Sequence, residues 1–290
     1  MKTMYYLISL FLIIVLQTVF AKTFNSRPEV QEFIIHMVSK HNFAKEELEL
    51  LFNKYESNPD ILQKISNPSE SLSWGKYKKL LITNERITKG KAFLMQYQDV
   101  LLKAEQRFGV PKELIVAILG VESSYGTVVG KFPVLEALAT LAFDYPARQK
   151  FFKSELEHFL LLTKEKHLDP TKITGSYAGA MSPAQFISSS YRAYAVDFAN
   201  IGDKNLNNMH NAIGSIANYL NKHGWAKNGK IAVKSIKQHK KKQNLLEFVY
   251  DDNNREYWEA FNNFTVITKY NNSNNYAMAV YQLAVALGFK

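Results

Sequence analysis

The sequence predicts a mainly α-helical body carrying a small β-containing insert near residues 226–270. Three observations lead there. Helix-like apolar spacing recurs along most of the chain, strand-like runs are few and late, and helix-ending residues fall where that spacing stops. From the N-terminal side, Pro28 to Lys40, Lys45 to Tyr55 and Lys91 to Phe108 each place apolar residues on one face of a helix. A denser run follows Pro111, from Leu114 to Val121, and reads as a helix buried on nearly every side. Pro111 suits its first turn and Gly126 the position just past its end. Gln149 to Lys164, Ser189 to Phe198, Asn211 to Asn221 and Tyr276 to Leu287 repeat the helical period. Asn274 suits the cap of the last of these, and Gly224 the end of the one before. Ile231 to Val233, Leu245 to Tyr250 and Phe264 to Thr268 are short and β-prone, which places strands in the insert.

The chain has 290 residues and no cysteine. Disulfides, thiolate metal sites and a cysteine nucleophile are therefore excluded, as is a lipid-modified N-terminal cysteine. Met1-Lys2, the apolar run from Tyr5 to Leu16 and the small-residue exit at Val19-Phe20-Ala21 have the form of a secretory signal. Cleavage after Ala21 is expected, leaving residues 22–290 as one soluble catalytic region; an uncleaved anchor over Met4 to Ala21 is the alternative. Removing 1–21 takes away one lysine and leaves 35 basic and 26 acidic side chains. Such a surface attracts polyanions, including anionic wall polymers and membrane surfaces. Lys237 to Lys242 is the one concentrated basic segment, read as a solvated loop, and no nucleic-acid recognition motif accompanies it.

The chemistry is concentrated in Gly120-Val-Glu-Ser-Ser-Tyr-Gly126. Glu122 ends a buried helix at the negative end of its dipole, where an ionised carboxylate is disfavoured. Burial and dipole together favour the protonated acid, so Glu122 is the candidate proton donor. About fifty residues on, Gly175 to Phe186 holds small residues at 178, 179, 180 and 184, which allow close backbone approach along a groove wall. Within it Gln185 offers a donor and an acceptor for a sugar hydroxyl or acetamido group, and Phe186 an apolar face.

These two segments resemble the core of the lytic murein transglycosylase B family, glycoside hydrolase family 103. Pro133-Val-Leu-Glu-Ala-Leu-Ala-Thr-Leu-Ala-Phe-Asp-Tyr-Pro146 is similar to the family segment after the catalytic helix. Ala212 to Leu220 with His223-Gly-Trp225, and Tyr270-Asn271 with Tyr276 to Leu283, resemble two more. The resemblance spans roughly residues 28–290 and implies a lysozyme-like catalytic domain. It also implies cleavage of the β-1,4 bond between N-acetylmuramic acid and N-acetylglucosamine in peptidoglycan, ending in a 1,6-anhydromuramoyl product. Glu122 would be the single acid and base, outside two-carboxylate glycosidase chemistry. Asp144, Glu136 and Glu155, the nearest downstream acids, are read as structural; a hidden second carboxylate would favour a hydrolytic muramidase. A murein-binding scaffold without turnover is the rival from another class.

By the same resemblance, Ser176, Gln185 and Phe186 would line the cleft at the scissile bond. Tyr219 would contact the muramoyl side, and Tyr270 and Asn271 would close the groove. Arg148 would bind a lactyl or stem-peptide carboxylate, as guanidinium groups do. A basic pair is common in the family after Tyr-Pro, but here Ala147 precedes Arg148, and Ser188 replaces a proline after Phe186. Some members carry an EF-hand-like calcium loop over the segment Asp197 to Asn211. Here Ala199 and Ile201 stand where oxygen ligands would be needed, and Asp197, Asp203 and Asn208 supply only part of a shell. No strong calcium site, no other metal site, no cofactor and no nucleic-acid partner is expected. The seven histidines look scattered. The expected protein is a soluble periplasmic monomer, not a lipoprotein, acting on glycan strands.

Overall fold

A computed structural model describes residues 23–67, 72–235, 244–251 and 254–290. The signal segment 1–21 and the basic segment 237–242 fall outside these residues. Among the described residues there are thirteen α-helices and five short strands.

The centre of the molecule is α7 (Lys112–Ser123), whose residues from Leu114 to Gly120 are all fully buried. A helix apolar on every side must be wrapped by other helices. Four do so: α5 (Asn84–Gln96), α6 (Gln98–Phe108), α11 (Met209–Lys222) and α13 (Asn274–Ala286). Each fully buried Leu, Ile or Val of α7 contributes about 1.5–3 kcal/mol. A second buried helix, α8 (Val134–Asp144), packs on α9 (Gln149–Glu165) and on α3 (Pro59–Ser66). The N-terminal α1 (Pro28–His41) and α2 (Lys45–Phe52) lie beside each other. Arg27, just before α1, binds both oxygens of Asp144 at 3.0 and 2.7 Å, fixing the start of α1 to the end of α8.

Several boundaries differ from the sequence expectation, each for a local reason. The stretch 91–108 belongs to two helices, α5 and α6, because Tyr97 leaves helical geometry (φ −110°, ψ 25°). The helix expected to 198 is α10 (Ser188–Tyr194); beyond it Ser215 Oγ accepts the Val196 N–H at 3.0 Å and draws the chain into extended form. Ser273 caps α13 in place of Asn274, its side chain accepting the Tyr276 N–H at 3.2 Å. α3, α4 (Trp74–Leu81) and α8 were not expected as helices.

The insert is an antiparallel sheet of β3 (Ala232–Ser235), β4 (Leu245–Val249) and β5 (Arg255–Ala260), with β5 central. The expected strand at Phe264 to Thr268 is instead part of α12 (Asn262–Tyr270), where Phe264, Val266 and Ile267 are buried. Tertiary burial on one helical face here overrides the β propensity of Thr265, Val266, Ile267 and Thr268. The expected insert limits of 226–270 therefore narrow to a sheet over 232–260. It docks on α4 through Trp74 and Phe248, with ring centroids 5.4 Å apart. Gly75 permits this approach: a Cβ there would lie 2.4 Å from the Tyr250 carbonyl oxygen.

Asn263, fully buried, joins α12 to the segment leading into the sheet. Its side chain accepts the Ala226 N–H and donates to the carbonyls of Ala226 and Gly229, each at 2.8 Å. Asn263→Ala takes their partner from the Ala226 N–H and the Gly229 carbonyl and is expected to lower stability by about 2–3 kcal/mol. Urea denaturation with unchanged native helical circular dichroism checks this.

Candidate active site

The site begins where α7 stops. Ser124, Tyr125 and Gly126 have φ of 47°, 63° and 87°, three successive residues in the left-handed region. The expected terminator, Gly126, is the third of these; Ser124 itself takes the first left-handed position. The Tyr125 N–H reaches back to the Leu119 carbonyl at 3.0 Å, closing the helix end. Such strain in non-glycine residues persists only where surroundings hold it. Ser123 Oγ does part of this, donating to the Pro183 carbonyl at 2.7 Å and accepting the Gly126 N–H at 2.9 Å. Tyr125 does the rest, its ring lying in a slot left open by Gly90 and Gly120 and its hydroxyl donating to the Arg86 carbonyl at 2.8 Å. Burial pushes that phenol up to about 12.

Glu122 is thereby held half-buried in the last turn of α7. Tyr276 on α13 donates its hydroxyl to Glu122 Oε1 at 2.6 Å, across 154 residues of sequence. Burial first, then the adjacent Glu122 carboxylate, push the Tyr276 hydroxyl well above the ordinary tyrosine range. It therefore remains a proton donor throughout the neutral and mildly alkaline range. Its role was not assigned from the sequence. The available signal was a lone hydroxyl in the buried run Tyr276 to Val280, since a buried phenol needs a partner.

A tight hairpin over Met181 to Phe186 forms the next wall, closed by paired backbone bonds of 2.9 and 3.1 Å between its two ends. Gln185, with φ 49°, donates its amide to the carbonyls of Ser182 (2.9 Å) and Val129 (3.1 Å). It thus ties the hairpin to the loop after α7 and leaves its amide oxygen as the group suited to a ligand. Ser176 Oγ accepts the N–H groups of Ala178 and Ala180 at 3.3 and 3.1 Å, shaping the turn before the hairpin. Gly130 brings the two loops together, because a Cβ there would sit 2.1 Å from the Gly175 carbonyl oxygen. β1 (Phe132–Pro133) and β2 (Thr174–Gly175) pair beside this contact.

Phe186 and Tyr219, expected to line the cleft and contact the muramoyl side, are largely buried beside that wall, 2% and 7% exposed. Phe186 packs on Tyr219 at 5.6 Å and on Tyr270 at 5.7 Å, and an apolar ring with such neighbours is driven inward. Tyr219 donates to the Lys269 carbonyl at 2.5 Å, and half-buried Tyr270 to that of Ala184 at 2.6 Å. Tyr270 stacks near-parallel to Tyr276 at 6.4 Å, so one aromatic series runs from the hairpin to Glu122's partner. Asn271 follows directly, half-buried at the end of α12. Arg148 is not bonded to this group; it is exposed beyond the far end of α8, its guanidinium over Phe151 at 4.1 Å.

The downstream acids are engaged elsewhere. Asp144 holds Arg27, and buried Glu155 accepts the N–H and hydroxyl of Ser189 at the start of α10. Glu136 is half-buried on α8, its carboxyl raised above the usual range by burial. In the loop after α10, Asp197 spends both oxygens on the N–H groups of Ile201 and Gly202, and Asp203 binds Lys166 at 2.6 Å. Asn208 caps α11 through its side chain. The histidines are less scattered than expected, since His36 and His41 converge on Glu157.

A helical body whose buried helix ends on a half-buried carboxylate, walled by a tight hairpin, is the arrangement expected of a glycan-cleaving enzyme. The model of the transglycosylase SLT domain matches residues 25–247 and 233–285. Membrane-bound lytic murein transglycosylase B of Escherichia coli K12 is 37% identical over 302 residues, covering 91% of this chain and 84% of that protein. The E. coli lytic transglycosylase SLT35 in complex with calcium superposes with a TM-score of 0.83 at 38% identity, over 90% of this chain and 92% of that one. Soluble lytic transglycosylase SltB1 of Pseudomonas aeruginosa gives 0.82 at 39% identity, over 90% and 98%. The chain belongs to the lytic murein transglycosylase B family.

Tyr276→Phe removes a hydrogen bond to a charged group, worth about 1.5–3 kcal/mol. Murein turnover is expected to fall by about 10–100-fold, with the melting temperature lowered by several degrees and the native fold kept; steady-state kinetics and calorimetry on the same preparation check this.

Proposed function

We propose that this chain cleaves the β-1,4 bond between N-acetylmuramic acid and N-acetylglucosamine in peptidoglycan and leaves a 1,6-anhydromuramoyl end. Glu122, half-buried at the end of α7 and held by Tyr276, carries the reading. It first gives its proton to the glycosidic oxygen, lowering the cost of leaving-group departure. The substrate's acetamido oxygen supports the anomeric carbon. Glu122, now a carboxylate, then takes the proton of the C6 hydroxyl as that oxygen closes the anhydro ring. One group thus serves both steps, which fits the engagement of Asp144 and Glu155 elsewhere. The kinship with lytic murein transglycosylases supports the substrate class.

Gln185 and Asn271 would contact the sugar, with Ser176 shaping the wall and Tyr270 and Tyr219 supporting it. Arg148, exposed, would take a carboxylate at a more distant part of the strand. The proposed chemistry needs no cofactor. The site of action would be the periplasm, as a soluble monomer; no described helix is long and apolar enough to cross a membrane.

Glu122→Gln is expected to fold normally and lose on the order of 10²–10⁴ in rate. Mass spectrometry of digested sacculi should show products one water lighter than reducing muropeptides, with wild type alone. Reducing ends would refute the anhydro chemistry, and a small rate loss would remove Glu122 as the acid and base.

A further inference from the structure

Away from the active site, α1 and α9 bring two imidazoles to one carboxylate. His36 Nε2 lies 3.0 Å from Glu157 Oε2, and His41 Nε2 lies 2.7 Å from Glu157 Oε1. One ligand atom from each residue falls within 4.8 Å of the others. All three residues are half-buried, so the group is walled by protein on one side and open to water on the other. The geometry points to a divalent transition-metal site, formed by His36, His41 and Glu157, that clasps α1 to α9 and takes Zn²⁺ with water as fourth ligand.

The donor set suits such an ion. Two neutral imidazoles and one carboxylate are a common zinc ligand set, and imidazole selects Zn²⁺ over the hard ions Mg²⁺ and Ca²⁺. Zn–N and Zn–O bonds of about 2.0–2.2 Å at tetrahedral angles require ligand atoms about 3.3–3.5 Å apart. The present contacts of 2.7 and 3.0 Å run to the two different oxygens of Glu157, so a metal held by one oxygen requires the carboxylate to turn as well as the contacts to lengthen. Both histidines already aim the same ring nitrogen, Nε2, at the Glu157 carboxylate, one at each oxygen.

The backbone is set in advance. Lys164 of α9 donates to the carbonyls of His41 and Asn42 at 2.9 and 2.7 Å, gripping the last turn of α1. Asn42, left-handed at φ 53°, ends the helix there. The two rings meet edge to face at 5.9 Å, and His36 also packs on Phe33. Lys40 is the competing cation, its ammonium 3.1 Å from Glu157 Oε1. It is mostly exposed on a flexible stem and can swing into water when a divalent ion enters.

Lys40 supplies the discriminating variant. The purified protein is titrated with Zn²⁺ against a chromophoric chelator, with Co²⁺ absorption reporting the coordination geometry. One equivalent of Zn²⁺ should bind, raise the melting temperature, and give a four-coordinate Co²⁺ spectrum. His41→Ala and Glu157→Gln should each weaken binding by more than the roughly tenfold that even a supporting residue contributes. Lys40→Met should tighten it, since the competing charge is gone. A mere ion-pair network predicts the reverse for Lys40→Met: lower stability and no gain in affinity. Zinc binding no tighter than that of a His36→Ala/His41→Ala double variant with native circular dichroism would overturn the site.

Discussion

Everything in this molecule is arranged around the enclosure of α7. Seven successive residues from Leu114 to Gly120 are fully buried, so the helix has no solvent face. Its wrapping by α5, α6, α11 and α13 is the direct consequence, drawing together parts of the chain from residue 84 to residue 286. The first residue of that helix able to carry charge chemistry after the buried run is Glu122, at the end where the helix emerges. Packing therefore fixes both where the carboxyl sits and how little it can move.

The helix end is strained, and the strain has identifiable supports. Ser123 Oγ spans to Pro183, and Tyr125 fills the slot between Gly90 and Gly120. These contacts also position the hairpin of Met181 to Phe186 against Glu122, because Pro183 belongs to both structures. Tyr276 closes the arrangement from the last helix, and Tyr270 bonds the hairpin at Ala184. The aromatic residues bond the walls to one another, as the proposed use of one group as acid and then base would require.

Much of this was legible in the sequence, for particular physical reasons. The apolar run after Pro111 announced a buried helix ending on Glu122. The boundaries of α1 and α9 followed from apolar spacing to within about a residue. Three kinds of feature were not legible. Phe264 to Thr268 is β-prone, yet burial of one helical face decides its state. The mutual packing of Phe186 and Tyr219, residues far apart in the chain, has no signature in their local sequence. Long-range pairs such as Tyr276 with Glu122, or His36 and His41 with Glu157, have no local signature, since separate helices assemble them.

In the proposed reaction the end of α7 presents Glu122 to the scissile glycosidic oxygen while Tyr276 holds it. The most direct measurement is a crystal structure of the Glu122→Gln variant with a bound muropeptide tetramer. The account predicts the glycosidic oxygen about 3 Å from the introduced amide, with the Tyr276 hydroxyl still on the same side chain and Gln185 facing an acetamido group. A strand bound with its glycosidic oxygens beyond reach of that side chain would contradict it.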